Sequence, residues 1–395
     1  MEQDPSPSET RDFSLVLGGP LYQLLLRSGL IRPPLNRVGR RMLVICGVAW
    51  LPLAVLTLLG GRFTGGVKVP FLGDVEVQCR LLVMLPLLIL AELIVHARMS
   101  AIVGEFLARK IVTPEQRTRY QAILDAAMRL RNSIPIEAGM AVLVFGLGNV
   151  VWREAVSLHA DAWYASVTPG GTVYTPAGYW YAFVSVPIVQ FILLRWYFRL
   201  FMWCQYLWRV SRLDLRLVPT HPDRSGGLGF LANVVFALAP FVVAHSALIA
   251  GYIANRILYQ GAKLPEFKLE IAAIAIFLNL IILGPLFLFA PRLNQTRIVG
   301  LRLYGRLANE YVQGFDSKWV KGSAPAGEAL LGSADIQSLA DLANSFQVVQ
   351  SMRTFPFGKE ALLQLNLMIA LPLLPLALTM FPLDELLLRL VKVVL

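Results

Sequence analysis

Charged residues are scarce in this sequence: Asp, Glu, Lys and Arg make up 15% of 395 residues, against a hydrophobic share of 56%. A soluble domain carries charge on about a quarter of its residues, so water is excluded as the only solvent. Cysteine is sparse as well. Cys46, Cys79 and Cys204 lie far apart without paired spacing, which argues against a disulfide framework or a zinc knuckle. Strings of hydrolytic chemistry are missing too: there is no GxSxG, HExxH or DDxxD, so no catalytic residue, metal or cofactor is assigned and a non-enzyme is expected. The start MEQDPSPSETRD is acidic, unlike the basic start of a secretory signal, and reads as a disordered cytoplasmic tail. The net charge of +11 is unaccompanied by a basic, aromatic-interleaved module, so no nucleic-acid partner is expected.

What the sequence has in abundance is apolar runs. A helix needs about 20 apolar residues to cross a bilayer core, and seven stretches qualify: Met42–Leu59, Leu81–Ala97, Ile134–Trp152, Trp180–Phe201, Phe230–Ala254, Ile271–Ala290 and Ala361–Met380. The third is the weakest, because it carries Glu137 and Asn149. With the N-terminus inside, 27 of the 36 lysines and arginines fall in inside segments, the bias of the positive-inside rule. The expected fold is an all-α polytopic transmembrane helical bundle of about seven spans in the bilayer of a bacterial inner membrane, N-terminus cytoplasmic. Residues 1–41 form a tail with an interfacial segment, Phe13–Ile31, which Gly18, Gly19 and Pro20 interrupt. Residues 42–395 form the membrane domain, with cytoplasmic helical loops at 98–132, 202–229 and 291–360. After Pro382 an amphipathic stretch is expected to lie in the interface or fold back.

Two of those loops carry helix signals. Thr113-Pro114-Glu115-Gln116 reads as a capped start of a basic helix to about Arg131. A second helix starts at Ser333 or Asp335, with Ile336, Leu339, Leu342, Phe346 and Val349 on one apolar face that needs a partner. Gly314 to Gly332 reads as a linker.

The most distinctive string is PTHPDRSGGLGFL, from Pro219 to Leu231. One reading is a tight turn in which Asp223 or Ser225 caps the next helix. Another is an anion or ligand site, in which the amides around Gly226 and Gly227, with His221, Asp223 and Arg224, attract negative charge. A third makes His221 and Asp223 metal ligands. Ionisable and amide groups inside spans are the other candidates, since they are costly in lipid. Glu92, His96, Glu137, His245 and Asn279 are read as an intramembrane polar path or, alternatively, as bonds between helices. His159 and Asp161 form an isolated pair in an outside segment.

The run DIQSLADLANSFQVVQSMRTFPFGKEALLQLN from Asp335, together with HPDRSGGLGFL, resembles multi-pass inner-membrane proteins of proteobacteria to which no activity is assigned. That resemblance implies a bacterial inner membrane and nothing sharper. The leading expectation is membrane transport of a small ion or solute, with anions the expected cargo if it conducts ions, by a bundle open to homo-oligomer formation. A scaffold binding a partner through its cytoplasmic helices is the second reading, and a lipid-acting enzyme the third.

Overall fold

The computed structural model describes residues 13–30, 37–148, 162–168, 171–325, 327–330 and 332–380. After a short helix, α1 (Pro20–Arg27), come α2 (Val38–Leu59), α3 (Val75–Ala108), α4 (Arg117–Arg131) and α5 (Ile134–Leu143), the last prolonged by a π-helical turn to Gly148. A hairpin of β1 (Ala165–Thr168) and β2 (Gly171–Tyr174) leads into α6 (Pro176–Val210). The chain ends in α7 (Ala239–Gln260), α8 (Leu264–Val320), α9 (Ala334–Gln350) and α10 (Lys359–Met380).

Among the described residues, α2, α3, α6, α7, α8 and α10 are long and apolar enough to cross a membrane. In lipid every backbone amide and carbonyl must be bonded within its own segment, which is why these apolar runs are helical throughout. Six of the seven expected spans therefore correspond to such a helix. The third is represented by the shorter apolar stretch Ile134–Gly146, and its continuation past Gly148 lies outside the described residues. So do the His159–Asp161 pair and the amphipathic stretch after Pro382.

The spine of the bundle is α3. It packs against α2 on one side and α7 on another, while α6 carries α4 and α5 on its flank, and α7 meets α10. Leu81, Met84, Leu85, Leu88 and Phe106 of α3 are wholly buried. Successive membrane-crossing helices, with the shorter α5 counted among them, alternate in direction. The end of the bundle where α2 begins, called proximal here, therefore also holds α4, residues 211–238 and the chain between α8 and α10. The distal end holds residues 60–74 and the β-hairpin.

Several expectations need correction. The fifth span begins at Ala239, not Phe230: residues 229–233 form a 3₁₀ turn and 234–237 a separate helical turn. Pro240 lacks an amide to continue that turn, so the long helix restarts at Ala239 with the proline in its first turn, where no helical bond is lost. The linker expected from Gly314 starts late, because α8 runs on through Gly314 to Val320, where Lys318 and Trp319 bond the Asp335 carboxylate at 2.9 Å each. Thr113 does not cap its helix with its side chain. The partner that the Ile336 to Val349 face needs is α8: Val349 is buried against Gly300, and Phe346 lies beside Gly305. Finally, residues 13–16 are buried inside the proximal end, which an interfacial segment would not be.

Candidate functional site

Glu92 of α3 lies at the centre of a buried charge cluster. Its Oε2 takes an ion pair from Arg41 Nη1 of α2 at 2.9 Å, and its Oε1 takes one from Arg199 Nη2 of α6 at 2.6 Å. Arg41 is 2% exposed and Arg199 4%, so one carboxylate holds two guanidinium groups away from water. Arg41 also donates to the carbonyl of Ile89, and Arg199 stacks over the Trp196 ring at 4.7 Å. One turn earlier on α6, Arg195 Nε faces Glu137 Oε1 of α5 at 3.2 Å. That contact has ion-pair distance but not hydrogen-bond geometry, and Oε1 is left without a hydrogen bond.

The segment before α1 closes over this cluster. Gly19 and Leu21 donate their amides to Asn132 Oδ1 and Glu137 Oε2 at 3.1 and 3.2 Å, so α1 is capped by a carboxylate of α5. Arg131 Nη1 donates to the Ser14 carbonyl at 2.6 Å. Burial pushes the Arg131 guanidinium below its ordinary value. The Ser14 hydroxyl accepts the amides of Val16 and Leu17 and meets His96 Nδ1 at 2.9 Å. With both lone pairs taken, its proton goes to His96, whose Nδ1 is the acceptor. Gly18, at φ 146°, has no room for a side chain: a Cβ would stand 2.4 Å from Asn132 Oδ1 and 2.5 Å from Arg131 Nε. Gly18→Ala is expected to lift residues 13–19 off the cluster, read as new proteolytic cleavage before Arg27 in an otherwise folded protein; unchanged cleavage would refute this.

A second charge cluster occupies the distal end of α3. Asp74 accepts from the Val77 amide, from Asn255 Nδ2 at 2.7 Å and from Trp163 Nε1 at 2.8 Å. The Arg80 guanidinium bonds both Glu76 and the Tyr181 hydroxyl. The latter bond joins the π-helical turn of α3 (Cys79–Met84) to that of α6 (Tyr181–Ser185), and such turns recur at functional sites. Between the clusters the buried face of α3 is apolar, formed by Leu81, Met84, Leu85, Leu88 and Ile89.

Of the residues expected to form one polar path, Glu92, His96 and Glu137 meet in the proximal cluster. His245 and Asn279 do not join them. His245 donates Nδ1–H to the Phe241 carbonyl at 2.8 Å and meets the Tyr197 hydroxyl through Nε2 at 2.9 Å. Asn279 bonds Asn366 at 3.2 Å. Both are closed pairs between helices. The arginines that complete the cluster were missed because each sits near a span end, where arginine is ordinarily an interfacial anchor. The spacing that could have found them is Arg195 and Arg199, four apart on one helical face inside an apolar run.

The glycine-rich string forms the tight turn of its first reading, but not the helix cap: the helical segments that follow have no side-chain cap. Asp223 accepts the amides of Ser225, Gly227 and Gly229 at 2.8, 3.1 and 2.8 Å, and the His221 Nδ1 lies 2.8 Å from it. The amides expected to face an external anion thus serve the chain's own carboxylate. Gly226 and Gly227 take positive φ, Arg224 is exposed at φ 54°, and its carbonyl accepts the Arg353 amide at 2.7 Å. Among the described residues no third His, Cys, Asp or Glu joins His221 and Asp223 to make a metal site. No protein-family profile, curated protein or solved structure matches this chain.

Proposed function

We propose that this membrane protein transports a small anion along α3, and that the arrangement described is its closed state. The observation that carries the reading is the pair of buried charge clusters on one helix with an apolar stretch between them. From Arg80 to Glu92 is twelve residues, roughly 18 Å of helix, a good part of the bilayer core. Buried ionisable groups are expensive in a membrane and mark ion or solute pathways. Four guanidinium groups, Arg41, Arg131, Arg195 and Arg199, face two carboxylates at the proximal end, which selects for negative charge. The bias of basic residues toward that end supports reading it as the cytoplasmic side.

Purified protein in liposomes is expected to pass chloride or a larger anion above a protein-free control, and to pass potassium no faster than that control. Arg195→Gln, if the protein remains monodisperse, is expected to cut anion flux by about tenfold, the effect of losing ~1.4 kcal/mol at the site. Silence toward every anion tried would overturn the reading.

A second reading, a scaffold, draws on the α8–α9 hairpin, where Val299, Leu303 and Leu307 are exposed at four-residue spacing. A stoichiometric partner captured from native membrane, with no flux from the purified protein, would favour it.

A further inference from the structure

Beside the proximal cluster lies an open cleft lined by Arg131, Ser133, Glu137, Arg195 and Arg199. About 20 Å³ of it is open to the centre of a water-sized group, and the cleft opens to solvent. The charges around it do not balance. Glu92 is shared by Arg41 and Arg199, and Glu137 meets Arg195 alone. Arg131 has no carboxylate within ion-pair distance among the described residues; its bonds go to the Ser14 carbonyl and Asn132 Oδ1. The excess is two positive charges, most of it shielded from water, and excess of this kind calls for a counter-anion.

The lining also sets the kind of anion. Guanidinium forks match the oxygens of a tetrahedral oxyanion, which a spherical halide cannot engage in a bidentate way. Glu137 is 8% exposed and its Oε1 lacks a hydrogen bond. A carboxylate oxygen in that position repels a fully deprotonated anion but accepts a hydrogen bond from one that still carries a proton. We infer that this cleft binds a phosphomonoester-type oxyanion: two of its oxygens face Arg131 and Arg195, and its remaining O–H donates to Glu137 Oε1. The inference deepens the transport reading, naming the substrate class of its proximal site. Inorganic phosphate and the headgroup of phosphatidic acid share this chemistry; sulfate lacks the proton.

The test is binding, measured apart from flux. Delipidated protein in neutral detergent is titrated by calorimetry with inorganic phosphate at pH 7 and, separately, with sulfate. The same protein in nanodiscs of phosphatidylcholine is compared with discs containing phosphatidic acid or phosphatidylglycerol, using thermal stability as the readout. Phosphate binding, with sulfate bound at least about tenfold more weakly for want of the donated hydrogen bond, identifies free phosphate as the ligand. No phosphate binding but stabilisation by phosphatidic acid over phosphatidylglycerol identifies the lipid. Either preference should vanish in Arg131→Gln, chosen because Arg131 has no carboxylate partner to strand, and Glu137→Gln should bring sulfate and phosphate together. Phosphate and sulfate bound with equal affinity, no response to either phosphate or phosphatidic acid, or a preference unchanged in both variants overturns the inference. Binding without flux would leave this site standing and remove the transport reading; flux without binding would do the reverse.

Discussion

Glu92→Gln is expected to destabilise the protein by about 3–5 kcal/mol, the cost of stranding buried charge when one partner is removed. Arg41 and Arg199, 2% and 4% exposed, would keep their charges and lose their common carboxylate. The amide is the same size, so a packing defect cannot account for the loss. Thermal denaturation in detergent would measure it, and a variant as stable as the parent would show that water or lipid phosphate already compensates the arginines. Replacing all three partners together, as Arg41→Met, Glu92→Leu and Arg199→Met, removes every charge and is expected to restore most of the stability. It also separates the two roles of the cluster: if the charges served only packing, the triple variant would keep whatever activity the parent has, and if they serve an anion it would be stable and inactive.

Asp223→Ala has a comparably large expected effect. It would leave three amides, those of Ser225, Gly227 and Gly229, without their acceptor. Orphaned buried donors cost about 1–3 kcal/mol each, so roughly 3–6 kcal/mol is at stake, with water recovering part. The damage would not stay in the turn, because Gly226 packs against Leu293 and Met352 and Pro219 against Gly300. Hydrogen exchange should quicken over residues 211–229 and 351–358 together; quickening confined to the turn would refute the coupling.

Acid should produce the same effect. Burial raises the Asp223 carboxyl, but the amides of Gly229, Ser225 and Gly227, and then His221, outweigh it and hold the group below its usual value. A carboxyl depressed on folding contributes stability that is fully present above its unfolded value, about 3.9, and lost as pH falls through the lower folded value. Loosening is therefore expected only below about pH 4, and neutral pH should leave the turn intact.

The spans were legible in the sequence because lipid imposes one demand, about 20 apolar residues in helix: α2 and α10 end where expected and start four and two residues early. The limits of α3 and α6 were not, since both helices continue past the apolar run into polar ends such as Arg98 to Ala108, which stay helical by packing on α4 and the proximal loops. The shift of α7 to Ala239 was readable in principle from Pro240. The site was half legible. Glu92, His96 and Glu137 stood out as ionisable groups in apolar stretches, whereas Arg41, Arg131 and Arg195 look like ordinary boundary arginines until the helices are assembled. The partners that turn the HPDRSGGLGFL string into a closed turn are its own amides, and periodicity carries no information about which of two anions, internal or external, an amide will face.

Helix α8 is one continuous helical run of 57 residues, of which the part from Ala290 to Val320 extends beyond the span. That part is roughly 45 Å long, and the 3₁₀ stretch Gly284–Phe289 sits at its root, where a change of helical winding is least costly. A tilt of about 10° there would carry the far tip roughly 8 Å sideways by simple lever geometry. Any rearrangement of the spans would thus be written, magnified, in the position of the α8–α9 tip, and a pair of spectroscopic labels at that tip and on α4 would read it from outside the membrane.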